Sequence, residues 1–460
     1  MHLQITPERN KGESIIEKKI IIVDSIMGSG KTEAVIRMVN ENPDTSYIYV
    51  VTLLDQVDRI IRSTHGRFKQ PENYGDGKLG GLHRLLTHGA DIVTTHALFL
   101  RATPETMELI HQGNYVLILD EALDVFQEYN SIVKEWDGKT ITKEGVDWLK
   151  RAGHISVDPE TCVVTWSGET ADNFQFSEII RLANNGTLRC IDNAFFWEFP
   201  PEVLHSFSQI YVLTYQFEGT VFDSYMRMYD LEYTLLSARK GEAGNFELCD
   251  YNDGTEIKSQ LVPLLNIYEG DLNRIGRKHN AFSVAWLSDC KGEQLAKIKN
   301  AMRSYRHHTK AASPSILWTT SMKNDFHQKL EAVRGFKHTR QLSKEDHNLP
   351  EKEFRRLRCF LFCSAKATND FAERTTLLYL LNRYASPETK KYFALRGFPI
   401  DEDIFATNEM VQWIWRSAIR NGQRINLFIP SSRMRGLLYR WLGISAPSNI
   451  PRTKRVLRES

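Results

Sequence analysis

The stretch "IIIVDSIMGSGKTEAVIRMV", residues 20–39, decides how this chain is read. Its first four residues are a β-branched and apolar run of the kind buried on both faces of a parallel sheet. After Thr32, Ala34, Val35, Met38 and Val39 recur near one side of a helix. Between strand and helix lies a tight turn with Gly28 and Gly30. Glycines there let backbone N–H groups converge on an anion, and the helix N-terminus adds the positive end of its dipole. Ser25, Gly28, Ser29, Gly30, Lys31 and Thr32 are therefore the expected nucleotide-binding set. Lys31 would reach the β- and γ-phosphates, and the Thr32 hydroxyl would hold Mg²⁺. The full phosphate-loop pattern has glycine at the position of Ser25, and a small residue still permits the turn. The bland alternative is a glycine-rich turn that binds nothing. Strand, Gly-x-Gly-Lys-Thr and helix in this order predict a site for ATP with Mg²⁺.

Further along, "SYIYVVT" (46–52), "ADIVTTHALFLR" (90–101), "YVLILDEALDVF" (115–126) and "SQIYVLTY" (208–215) are apolar runs, several leading into helical spacing. Strands alternating with helices predict a doubly wound parallel sheet, with ligand groups at the carboxyl ends of the strands. "LILDEA" puts Asp120 and Glu121 at such an end. Phosphoanhydride hydrolysis needs one acid to position Mg²⁺ and another to orient and deprotonate the attacking water. Asp120 suits the first role and Glu121 the second. The stretch 127–207 is too long for a loop and reads as an α/β insertion. A second series, "AFSVAWLS" (281–288), "SILWTT" (315–320), "RCFLFCSA" (358–365) and "INLFIPS" (425–431), predicts a second α/β domain. The expected organisation is a first domain over 1–225, a connecting segment over 226–270, a second domain over 271–445 and a basic tail over 446–460.

Near the C-terminus, Gln412, Arg416 and Arg420 are spaced i, i+4, i+8, so one helix would show all three on one face. Guanidiniums aimed across a domain cleft can stabilise charge on a γ-phosphate, and Gln412 would monitor the nucleotide beside them. The alternative is an amphipathic helix with a solvated basic edge.

"SIMGSGKT", "LDEAL" and "QWIWRSAIRNG" resemble motifs I, II and VI of superfamily 2 DEAD/DEAH-type helicases, which commonly read Ala or Ser at the position of Ser25. "VLTYQFEGT" (212–220), "SAKATNDFAERT" (364–375) and "IPSSRMRGLLYRWL" (429–442) resemble a subgroup found in tailed phages. The resemblance implies two RecA-like doubly wound parallel-sheet domains, with the α/β insertion in the first. ATP would lie between them and nucleic acid across their tops. Thr52 and Gln56 match motif Ia, Thr94, Thr95 and His96 motif Ib, and Thr368 with Asn369 motif V. Hydroxyls and amides at helix starts bind phosphates without reading bases, although Thr94 and Thr95 read equally as helix caps. The family's last motif has Gln, Arg and Arg at offsets 0, 4 and 7 with glycine before the first Arg; here Trp415 precedes Arg416 and the second Arg comes one residue late. Trp413, Trp415 and Trp441 are candidates for base stacking, with core packing the favoured role.

The 460 residues carry a net charge of +2, which hides an asymmetry. Residues 271–460 hold 35 Lys and Arg against 17 Asp and Glu, a net of +18, and residues 1–270 hold 24 against 40, a net of −16. The C-terminal half is thus expected to grip phosphates, with Arg433 and Arg435 among the strand-binding residues, unless these charges pair across the halves. No apolar run approaches the roughly 20 residues of a membrane span, and the first residues lack a signal-peptide core. The six scattered cysteines form no zinc pattern and read as reduced thiols, so the expected setting is cytoplasmic, in a host cell if the protein is phage-encoded. These features predict an ATP-dependent helicase or translocase on single-stranded or tailed duplex DNA in phage-type replication or recombination, with other replication proteins as further partners. The rivals are a packaging-type or restriction-type motor, and an ATP-gated nucleic-acid-binding switch or loader that does not unwind.

Overall fold

A computed structural model describes residues 19–447 except 76, 136–138, 169–175, 337–357 and 366–369. The first sheet has seven strands. β1 (Ile20–Asp24), β2 (Tyr47–Val51), β3 (Ile92–Thr95) and β4 (Val116–Asp120) are joined by Gln209–Thr214, Tyr233–Lys240 and Phe246–Asp250. From one edge the order is Phe246–Asp250, Tyr233–Lys240, β1, Gln209–Thr214, β4, β2, β3. All neighbours are parallel except the Phe246–Asp250/Tyr233–Lys240 hairpin. β1 and β2 are buried along their whole length, as their apolar runs require. Alternate residues of β1 enter different cores: Ile20 and Ile22 face one cluster, Ile21 and Val23 the other. Helices α1 (Lys31–Glu41) and α2 (Leu54–Ser63) bury Val35, Ile36, Val57 and Ile60 in the second of these.

The segment 226–270, read as a connection, instead supplies two strands to the first sheet, and β1 pairs directly with Tyr233–Lys240. The insertion 127–207 builds small antiparallel sheets from Ile155–Val157 with Val164–Trp166, and from Leu188–Ile191 with Ala194–Glu198 and Phe126–Glu128. A second, wholly parallel sheet runs Leu265–Ile267, Ile425–Phe428, Thr376–Tyr379, Ile316–Thr319.

Two expected strands fail. "AFSVAWLS" holds the helix Val284–Ser288, because the Ser283 side chain caps it by accepting from the Trp286 amide. "RCFLFCSA" makes a single bridge, Phe360 beside Trp318, and the neighbouring sheet position goes to Thr376–Tyr379. The six cysteines are free thiols. No described helix is long and apolar enough to cross a membrane.

Candidate nucleotide-binding site

Parallel strands put their carboxyl ends on one edge, and the expected ATP residues gather there. The turn after β1 is tied down by Ser25. Its amide donates to Thr214 O (3.2 Å), and its buried hydroxyl accepts from Ala238 N (2.8 Å). Serine thus replaces glycine with a benefit, a bond to the adjoining strand. Gly28 (φ 82°) and Gly30 (φ 85°) both have left-handed backbones. A Cβ on Gly28 would come within 2.5 Å of the Trp415 ring, and one on Gly30 within 2.1 Å of the Phe246 ring. Ser29 Oγ is buried without a hydrogen-bond partner. The Lys31 ammonium folds back onto the Ser25 and Ile26 carbonyls. Burial pushes its pKa down to about 8, against the attraction of Asp24, Asp120 and Glu121.

Across the turn, Thr32 Oγ1 donates to Asp120 Oδ1 (3.3 Å). Burial, aided by Glu121, pushes the Asp120 carboxyl up to about 6. Glu121 has φ +99°, a strained conformation for a residue with a side chain, and its amide donates to Leu213 O (3.1 Å). The Thr52 hydroxyl lies 3.4 Å from both Asp120 O and Glu121 Oε2. The unpartnered Ser29 hydroxyl, the left-handed glycines and the hydroxyl–carboxylate pair fit a nucleoside triphosphate with Mg²⁺. Thr32 and Asp120 are the residues that would hold the ion, leaving its remaining positions to water and phosphate.

The second domain closes the cleft. The helix Glu402–Trp415 is capped by Asp401, whose carboxylate accepts from Asp403 N (2.8 Å) and Ile404 N (3.0 Å). One continuous helix does not carry Gln412, Arg416 and Arg420, as the spacing had suggested. It ends at Trp415, and Ser417 caps a separate 3₁₀ turn, Ala418–Asn421, by accepting from the Ile419 amide (3.5 Å) while its hydroxyl donates back to Ile414 O (2.7 Å). All three residues nevertheless line one cleft of about 800 Å³ with Gly28, Lys31 and Glu121. Arg416 Nη2 lies 3.9 Å from Glu121 Oε1, and its Nε is buried without a hydrogen-bond partner. Burial lowers the Arg416 pKa. Gln412 donates to Asn408 Oδ1, and Asn408 Nδ2 to Tyr215 O (2.7 Å) in the first domain.

The residues expected on a nucleic-acid surface fare differently. Gln56 Oε1 accepts from the Thr52 and Leu53 amides at the start of α2, on the wall of the same cleft, and the Thr52 hydroxyl points to Glu121. Thr94 is buried, and Thr95 precedes the short helix His96–Phe99 without a side-chain capping bond. Arg433 and Arg435 are internal. Arg433 donates to Asn382 Oδ1, the Arg383 and Glu402 carbonyls and Asp403. Arg435 bonds Glu269 and the Ile429 and Pro430 carbonyls. Guanidiniums so enclosed serve the fold and present no charge to a strand. Thr368, Asn369 and most of the basic tail lie outside the described residues. Trp413 is core, donating to Leu361 O (3.1 Å), and Trp441 donates to Tyr215 OH.

Sequence reasoning passed over Asp24, Phe246 and Asn408. Asp24 accepts from the Gln216 (2.8 Å) and Phe217 (2.9 Å) amides and holds the loop that reaches Asn408. Its place one residue before the turn was a usable signal. For Phe246 there was none, because its contact with Gly30 spans more than 200 residues of chain.

With two largely parallel sheets and a glycine-rich strand-to-helix turn facing the cleft, the architecture is similar to that of helicases with RecA-like domains. The chain is similar to an XPD helicase structure (TM-score 0.50, 12% identity, 93% of this chain and 95% of that one). It is likewise similar to an apo XPD structure (TM-score 0.51, 12% identity, 92% and 95%). At that identity the likeness shows the fold. By sequence the chain belongs to the YonV family. It is 36% identical over 442 residues to the SPbeta prophage-derived protein YonV of Bacillus subtilis (strain 168), covering 92% of this chain and 99% of the relative. The YonV C-terminal Rossmann-like domain matches residues 259–442.

Proposed function

We propose that the protein is an ATP-driven superfamily 2 helicase or translocase acting on DNA, in a phage-type replication or recombination setting, with a first RecA-like domain, a second one from about residue 271, and the insertion as an accessory to the first. The observation that carries this reading is the convergence of Lys31, Asp120 and Glu121 from one sheet with Arg416 and Arg420 from the other in a single cleft. Lys31 would leave the turn carbonyls for the β- and γ-phosphates, and Glu121 would orient and deprotonate the attacking water. Mg²⁺, when bound, neutralises phosphate charge and polarises the bond that breaks. Arg416, already beside Glu121, would contact the γ-phosphate, and Arg420 is our choice for the group that stabilises the transition state. The prophage relative supports the phage setting, and the fold likeness to XPD supports nucleic acid as the partner.

The test is ATP hydrolysis and strand displacement on a tailed DNA duplex, measured together. Lys31→Ala should lose nucleotide binding, whereas Glu121→Gln should bind ATP and hold the strand without turnover. Hydrolysis without displacement would replace the helicase with an ATP-gated switch or loader. Wild-type turnover in Glu121→Gln would remove Glu121 from its role.

A further inference from the structure

A third guanidinium stands in the cleft and belongs to none of the motif stretches. Arg59 lies on α2, which is anchored through buried Val57 and Ile60, and its side chain is 46% exposed. It lines the same cleft as Lys31, Asp120, Arg416 and Arg420. Its guanidinium pairs with Glu33, in the first turn of α1 and two residues beyond Lys31. It is close enough to both domains to act on each. On Arg420 it acts as a like charge.

Two physical points follow. An exposed Arg–Glu pair contributes at most about 1 kcal/mol, so Arg59 can exchange Glu33 for a better anion at little cost. A planar guanidinium is suited to phosphate oxygens, which it can grip with two parallel bonds. Arg59 and Arg420 line the same cleft from different domains, so a polyanion between them would be held from both sides.

We propose that Arg59 is a third phosphate-contacting arginine, supplied by the first domain, which leaves Glu33 for the terminal phosphate of the triphosphate. This rests on the reading of the cleft as a triphosphate site.

The experiment is equilibrium binding of Mg-ATP and of ADP to the full-length chain in a Glu121→Gln background, which prevents turnover. Arg59→Ala should weaken ATP by roughly tenfold or more, the size of a charge-assisted hydrogen bond, while ADP changes by less than about threefold. Glu33→Gln should act in the opposite direction and tighten ATP, because it releases Arg59. Arg59→Lys should fall between Arg59→Ala and the parent. Lys31→Ala is the control for the parent reading and should lose both nucleotides. If Lys31→Ala binds both normally, the triphosphate reading fails. If Lys31→Ala behaves as expected but Arg59→Ala and Glu33→Gln weaken ATP alike, or neither changes it, Arg59 is only a partner of Glu33 and the proposal is overturned. An equal loss of ATP and ADP in Arg59→Ala would also overturn it.

Discussion

Arg433 and Arg435 show what a charge count cannot see. Both sit in "SSRMRG", a basic stretch that reads as phosphate-gripping, yet both side chains are about 95% enclosed and spend their donors on carbonyls and carboxylates. Those partners lie up to 166 residues away in the chain, so no local pattern announces them. Arg433→Ala should therefore destabilise the fold by about 2–4 kcal/mol, because Asn382 Oδ1 and the Arg383 and Glu402 carbonyls lose their donor. Urea unfolding checks this, and the affinity of the folded fraction for single-stranded DNA should be unchanged. A variant that folds normally but binds DNA weakly would return Arg433 to the surface. Arg416 and Arg420 call for the opposite test. Arg420→Ala should leave ATP affinity nearly intact, Arg416→Ala should weaken it modestly, and at least one should lose strand-stimulated turnover by about a thousandfold. Single-turnover hydrolysis beside equilibrium binding separates the two effects, and unchanged turnover in both variants would remove the arginine-finger role.

Among elements, the helix Pro387–Leu395 crosses the domain boundary. It lies between strands and helices of the second domain, but Tyr392 and Phe393 are buried in the core of the first. Phe126 stacks on Tyr392 with ring centroids 4.5 Å apart. At the centre Glu198 accepts from Tyr392 OH (3.0 Å) and Tyr229 OH (2.9 Å), and pairs with Arg189 at 2.5 Å. The insertion thus fastens the first domain to the second. Glu198→Ala would strand a buried arginine and should cost about 3–5 kcal/mol, whereas Tyr392→Phe removes a hydroxyl that donates to Glu198 and accepts from Arg189 Nε, and should cost about 1–2 kcal/mol. Urea midpoints of the two variants test the gradation, and equal shifts would mean that Arg189 finds another anion. The insertion was legible in the sequence as a folded unit, from its helical and strand-like runs. Its docking was not, because an aromatic pair such as Tyr392–Phe393 looks the same whether it packs on its own domain or another.

Over the whole molecule, residues 271–460 keep a net of +16 against −16 in 1–270 after Arg433 and Arg435 are set aside as internal. Exposed cations such as Arg303 and Lys310 carry that charge at the surface. Single-strand binding should accordingly reside chiefly in the second half and weaken steeply with salt, with a log–log slope of roughly −0.7 per phosphate contact. Titrations between about 50 and 200 mM salt test this, and a flat response would show that the asymmetry serves another end.

The sequence alone determined the alternation of strands and helices, the glycine turn between β1 and α1, and the acids at the end of β4. Each is a local pattern in which steric freedom, periodicity or charge acts within a few residues of itself. Tertiary structure decided the rest. It placed Thr52 beside Glu121 and Gln56 on the cleft wall, broke the last motif at Ser417 while keeping its side chains together, and set Trp415 and Phe246 against Gly28 and Gly30. It also drew Arg433 and Arg435 inside and brought Arg59 to the cleft. Which surface a polar side chain faces depends on groups far away in the chain, and only packing brings those groups into contact.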